Sequence, residues 1–177
     1  MRRLIAILLF YVIPFLALCQ HGNNWTLGIN MGLNFSTSPP SLFSADTSVN
    51  AYKQSISNCK GDLMFYGNRN MLWNRYHHRV FNDSVLNSKM QRPYFFIPCP
   101  GDDSSYYYIS TGAKIVYVIL DLRLDSGRGG IRNNKCIQIG DSTSLYSGFV
   151  KHANDTNYWL LVKYRMIKIY ICTHAKQ

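Results

Sequence analysis

Apolar and polar residues are arranged differently in three stretches of the chain. Arg2 and Arg3 precede an apolar run from Leu4 through Leu18 that is broken only by Tyr11 and Pro14, and polarity returns at Gln20. A basic start, a short apolar core and the small residues Ala17 and Cys19 at the −3 and −1 positions predict a cleaved secretory signal peptide over residues 1–19. The mature chain then begins near Gln20, and no later segment approaches the roughly 18 consecutive apolar residues of a membrane span.

Residues 20–90 are rich in Asn, Ser and Gly and show little periodicity. Ser36 to Ser48 reads as loop, because two prolines stand among small hydroxyl residues. Met64 to Val80 is aromatic and basic, and its pattern fits a strand or a short helix equally. From Arg92 onward the signals turn to β. Tyr94–Ile97 and Tyr106–Ile109 read as short aromatic strands. Lys114–Leu124 is first β-branched and then alternates, with Asp121, Arg123 and Asp125 on a wet face. Ser126 to Gly130 is a turn, and Cys136–Ile139 a further strand. Tyr158–Cys172 reads as one long strand or a hairpin, since its β-branched and aromatic residues outweigh the basic helical pattern also drawn through it.

Short strands with turns every 8–12 residues predict an all-β fold, an antiparallel sandwich or barrel. Removing 19 residues from 177 leaves a length that suits one domain. Within it, residues 20–90 form an N-terminal segment of unassigned fold and residues 91–177 the β domain. On such strands the Tyr106, Tyr107 and Tyr108 cluster is the candidate binding face.

Charge and cysteines narrow the class. The net charge of +10 includes Arg2 and Arg3. The remaining cations are dispersed, which argues against nucleic acid and leaves weak attraction to acidic glycans or anionic surfaces. Four Asn-x-Ser/Thr sequons, at Asn24, Asn34, Asn82 and Asn154, are glycan acceptors if exposed in a lumen. Once Cys19 leaves, Cys59, Cys99, Cys136 and Cys172 remain. Their wide spacing suits structural disulfides rather than a metal site, with three pairings open.

The order of motifs after Arg92 adds a resemblance. Arg92-Pro93-Tyr94, Pro98-Cys99-Pro100, Tyr106–Ile109 with Thr111-Gly112-Ala113-Lys114, Leu120–Leu124, Ile137-Gln138 with Gly140-Asp141, and Leu160–Lys163 follow one another. This succession resembles the central part of the small secreted accessory protein encoded by open reading frame eight in SARS-related coronaviruses, over about residues 91–172. The resemblance implies an immunoglobulin-like β-sandwich in the endoplasmic reticulum lumen or outside the cell. It implies a glycosylated, non-catalytic viral accessory protein that binds host proteins and modulates immune responses. It also implies a Cys99–Cys172 disulfide, which leaves Cys59–Cys136. Residues 20–90 have no counterpart in that family, and covalent dimerisation does not carry over, so the oligomeric state stays open.

Catalytic material is sparse. His77 and His78 are adjacent, so on a strand they point to opposite faces. Asp102 and Asp103 follow Pro100-Gly101 and read as a turn. Gly140-Asp141-Ser142 resembles the nucleophile block of secreted esterases, but the late Asp-x-x-His of those enzymes is missing, and a strand-ending turn fits better. No cofactor fingerprint is present. The two alternatives to a protein-binding role are a glycan-binding domain using Trp25, Trp73 and Tyr106–Tyr108, and a small hydrolase using Ser142.

Overall fold

A computed structural model describes residues 20–27, 30–45, 54–86, 89–141, 146–154 and 157–163, and the backbone of 167–172. The signal peptide expected over residues 1–19 and Ser142 lie outside these residues. The fold is all-β and antiparallel in every strand pairing, and among the described residues no helix is long and apolar enough to cross a membrane.

Among the described residues fourteen strands run in chain order. The N-terminal segment holds β1 (Asn24–Leu27), β2 (Met31–Asn34) and β3 (Ser41–Phe43) in one sheet, and β4 (Gln54–Ser57), β5 (Leu63–Gly67) and β6 (Leu72–Asn74) in another. β7 (Tyr94–Pro98), β8 (Ser105–Thr111), β9 (Lys114–Asp121) and β10 (Gly130–Ile131) form the main sheet, in the order β10-β9-β8-β7. β11 (Ile137–Asp141) pairs along the first half of β9. β12 (Ser147–Lys151), β13 (Tyr158–Lys163) and β14 (Ile167–Cys172) make the last sheet. The Tyr158–Cys172 run is therefore a hairpin, and the Met64–Val80 stretch contains strands β5 and β6.

The main sheet is covered on both faces. Alternate side chains of a strand point to opposite sides, and here both sides are apolar. Tyr94, Phe96, Tyr106, Tyr108, Val116, Val118 and Leu120 face one core, which they share with Ile56, Met64, Phe65, Leu72, Val80, Leu86 and Met90 of the N-terminal segment. Ile97, Tyr107, Ile109 and Ile115 face a second core with Leu160 and Val162 of β13. A two-sheet sandwich encloses one core, whereas this sheet lies between two. The boundary at residues 90/91 also cuts through the first core, so the two segments of the expected domain division fold around the same side chains.

Two glycines permit this packing. At Gly129, φ is +99° and a β-carbon would stand 2.8 Å from the Phe65 ring, so only glycine lets the β9–β10 turn close over the first core. At Gly112 a β-carbon would come within 2.4 Å of the Gln91 side chain, which holds the β8–β9 turn against the segment before β7.

The alternation expected over Leu122–Asp125 is absent. β9 ends at Asp121, and the backbone turns through Leu124 and a 3-10 turn at Asp125–Gly127. Asp121 is buried, not on a wet face. The reason is two arginines, described next.

Candidate recognition surfaces

Tyr106, Tyr107 and Tyr108 are core residues and do not form a binding face. Tyr106 and Tyr108 point into the first core and Tyr107 into the second, because consecutive strand residues alternate. Burial, followed by the nearby charge of Asp103, pushes the Tyr106 phenol up to about 12. Tyr108 is fully buried, donates its hydroxyl to the Asn68 carbonyl at 2.9 Å, and is pushed well above the ordinary tyrosine range by burial.

Trp73 is likewise internal, stacked on Tyr66 with ring centroids 5.4 Å apart. Of the aromatics considered for glycan stacking, only Trp25 is open. It is 54% exposed, lies 4.9 Å from Phe35, and donates its indole N–H to the Gly22 carbonyl.

The remaining sequence candidates separate in the same way. Asp102 shapes the β7–β8 turn, accepting from the Ser104 amide at 3.0 Å and the Ser105 hydroxyl at 2.8 Å. Asp103 is exposed. His77 lies 3.0 Å from the Tyr66 hydroxyl, and His78 is at the surface.

Cys99 and Cys136 are thiols, so neither the Cys99–Cys172 nor the Cys59–Cys136 bond is formed. Cys136 is half-buried on β11's approach, and burial raises its pKa despite Lys89 nearby. Cys59 is disulfide-bonded.

Among the sequons, Asn24 is buried, and its side-chain amide donates to Ser57 Oγ at 3.0 Å and the Gly61 carbonyl at 2.7 Å. A glycan on that nitrogen is incompatible with this packing, so Asn24 is a structural residue. Asn34 and Asn82 are half-exposed and Asn154 is exposed in the β12–β13 turn.

Two features escaped the sequence reading. The first is an ion cluster at the end of β9. Arg123 donates to both Asp121 oxygens at 2.8 and 2.9 Å, and Arg132 reaches Asp121 Oδ2 at 2.8 Å. Both arginines also contact Asp102. Burial alone would raise the Asp121 carboxyl, but the bonds from Arg123 and then Arg132 hold it down at about 2. Asp102 is lowered too: burial opposes, while bonds from Ser105, Ser104 and the arginines prevail. With its charges matched, this cluster braces the β8–β9–β10 end of the sheet. Arg132 lies eleven residues from Asp121, a spacing that sequence alone does not mark.

The second feature is the outer surface of β12 and β13. Leu160 and Val162 point inward, so the alternate residues Trp159 and Leu161 point away from the core. Val150 is paired opposite Trp159 and Gly148 opposite Leu161, and directly paired residues share a face. Val150 is 52% and Leu161 38% exposed. His152 lies against Trp159 at 4.9 Å. Register sets Ile171 of β14 opposite Trp159 and Ile169 opposite Leu161. At the rim, Tyr146 is 74% exposed with the Lys163 ammonium 5.8 Å from its ring. The sequence from Tyr146 to Cys172 carries a single carboxylate, Asp155, while Lys151 and Lys163 are exposed.

Comparison with known proteins gives no match to a family model, a curated protein or a solved structure. The coronavirus resemblance therefore rests on its motifs alone.

Proposed function

We propose that this chain is a secreted or lumenal, glycosylated binding protein that engages host proteins and modulates immune responses, the accessory role implied by its motif resemblance, and that it does so without catalysis. The observation that carries the binding role is the outer face of β12 and β13. Scattered exposed apolar residues are ordinary, but a contiguous patch marks an interaction surface. Val150, Trp159 and Leu161 make such a patch on one sheet face, edged by Lys163 and Tyr146. An apolar centre with aromatic and basic edges suits a protein partner whose own patch is rimmed by carboxylates.

The immunoglobulin-like part of this reading is confined to the two layers β7–β11 and β12–β14, packed through Ile97, Tyr107, Ile109, Leu160 and Val162. The N-terminal sheets would then be an added layer on the opposite side.

The test is proximity labelling in secretory cells with the intact chain and with a Val150→Asp/Leu161→Asp variant. Both positions are exposed, so the variant should fold. Host proteins labelled by the parent chain are expected to be lost from the variant while its level and glycosylation are unchanged. An identical set of labelled proteins would remove this face from the account.

A further inference from the structure

We infer that a cationic double cleft centred on Gln91 binds an acidic polysaccharide, with sulfate or uronate groups seated on either side of that residue. One cavity of about 390 Å³ is lined by Lys89, Gln91, Lys114, Cys136 and Gln138, among others. A second, of about 530 Å³, is lined by Gln91, Arg69, Arg92 and Tyr94 with Asn68 and Asn70. Both volumes fall within the roughly 300–1,000 Å³ of ligand clefts. Two cations line each side, and no lining residue is a carboxylate.

Gln91 is held rigidly between the two halves. Its amide N–H donates to Ser110 Oγ at 2.7 Å, its carbonyl accepts from the Ser110 hydroxyl, and its Oε1 accepts from the Ala113 N–H at 3.1 Å. These bonds use its backbone and Oε1, not its Nε2 donor. Arg69 is anchored in turn by its Nε on the Met90 carbonyl at 3.0 Å. Arg92 bonds the Tyr94 phenol, which burial otherwise raises.

Lys89 and Lys114 are exposed and form no ion pair among the described residues. Asp141 is paired opposite Lys114 in register and accepts from Gln138 Nε2 at 3.0 Å. Two anchored and two exposed cations with side-chain amides between them match a chain that alternates anionic groups with hydroxyls. A single small anion would fill only one half. The choice of polysaccharide over another polyanion rests on the secretory reading above.

The probe is a heparin-derived octasaccharide, with affinity for the full glycoprotein measured at physiological salt. Lys89→Ala/Lys114→Ala removes two cations of the cleft without touching the anchored arginines. Lys60→Ala/Arg75→Ala removes two exposed cations elsewhere, so both variants lose the same net charge. The cleft variant is expected to bind about tenfold more weakly or worse, because charge-assisted hydrogen bonds are lost, and the control within about twofold of the parent. Equal losses in both variants would mean diffuse attraction to the positive surface and would overturn the site. So would no binding by the parent chain. Tighter binding of a single-stranded RNA of equal charge through the same two lysines would overturn the ligand class. Failure of secretion is read separately, from compartment and glycans rather than from this affinity.

Discussion

A chain that begins at Gln91 is expected not to fold. The motif-bearing half looks self-sufficient in sequence, with its strands, turns and late cysteine. In the structure, one whole face of its main sheet is closed by the segment that would be removed. Ile56, Met64, Phe65, Leu72, Val80, Leu86 and Met90 are each at most 4% exposed and pack on Tyr94, Phe96, Tyr106, Tyr108 and the inward residues of β9. Burying an apolar side chain of this size contributes roughly 1.5–3 kcal/mol. Losing seven such contributions exceeds about 10 kcal/mol, comparable with the whole stability of a domain, roughly 5–15 kcal/mol. Residues 91–177 alone should therefore give a collapsed NMR amide spectrum and no cooperative thermal transition. A dispersed spectrum with a cooperative melt would show that the first core is dispensable.

Asp121→Ala is the point substitution with the largest expected electrostatic effect. The carboxylate is 6% exposed and accepts from two guanidinium groups, and its removal leaves Arg132, itself only 22% exposed, without its main partner. Partial exposure of the arginines softens the penalty of a stranded charge, so about 2 kcal/mol is expected rather than the full cost of breaking a buried pair.

The same group sets a pH dependence. Its folded pKa, about 2, lies below the ordinary 3.8. The stabilisation is thus complete above pH 4 and is lost as pH falls from about 4 towards 2. Asp102, also lowered, adds to the same window. Urea titrations at pH 7 and pH 3 should show the parent chain losing stability on acidification. The variant should start lower at pH 7 and lose less. Equal stability of the two at pH 7 would show that the cluster contributes nothing.

The strands that were legible in sequence are those that carry apolar side chains on both faces. β7, β8, most of β9 and the β13–β14 hairpin are dense in aromatic and β-branched residues, whichever way each residue points. That same density hid the role of Tyr106–Tyr108. Three consecutive tyrosines must alternate sides, and both sides are internal because the sheet has a cover on each face. Nothing in the local pattern marks the second cover.

The N-terminal strands were illegible for the opposite reason. Gln54–Ser57 and Asn24–Leu27 carry polar residues that are buried by bonding one another, as Asn24 does with Ser57 and Gly61. A hydrophobic period cannot register such a strand. The recognition face depends on register between β12 and β13, which brings Val150 beside Trp159 and Gly148 beside Leu161. The Gln91 cleft depends on four separated segments, within 68–71, 89–94, 113–116 and 136–138, meeting around one residue.

The functional proposal presupposes folding in the secretory pathway, and a non-reducing peptide map of the protein released from mammalian cells tests that most directly. The account predicts a product that has lost its apolar leader and carries a glycan at Asn154 but none at Asn24. Cys99 and Cys136 should alkylate without reductant. Cys59 should be recovered only in a disulfide-linked peptide. A chain retained in the cytosol, with its leader intact, no glycan and all five cysteines alkylating freely, would contradict the account at its foundation.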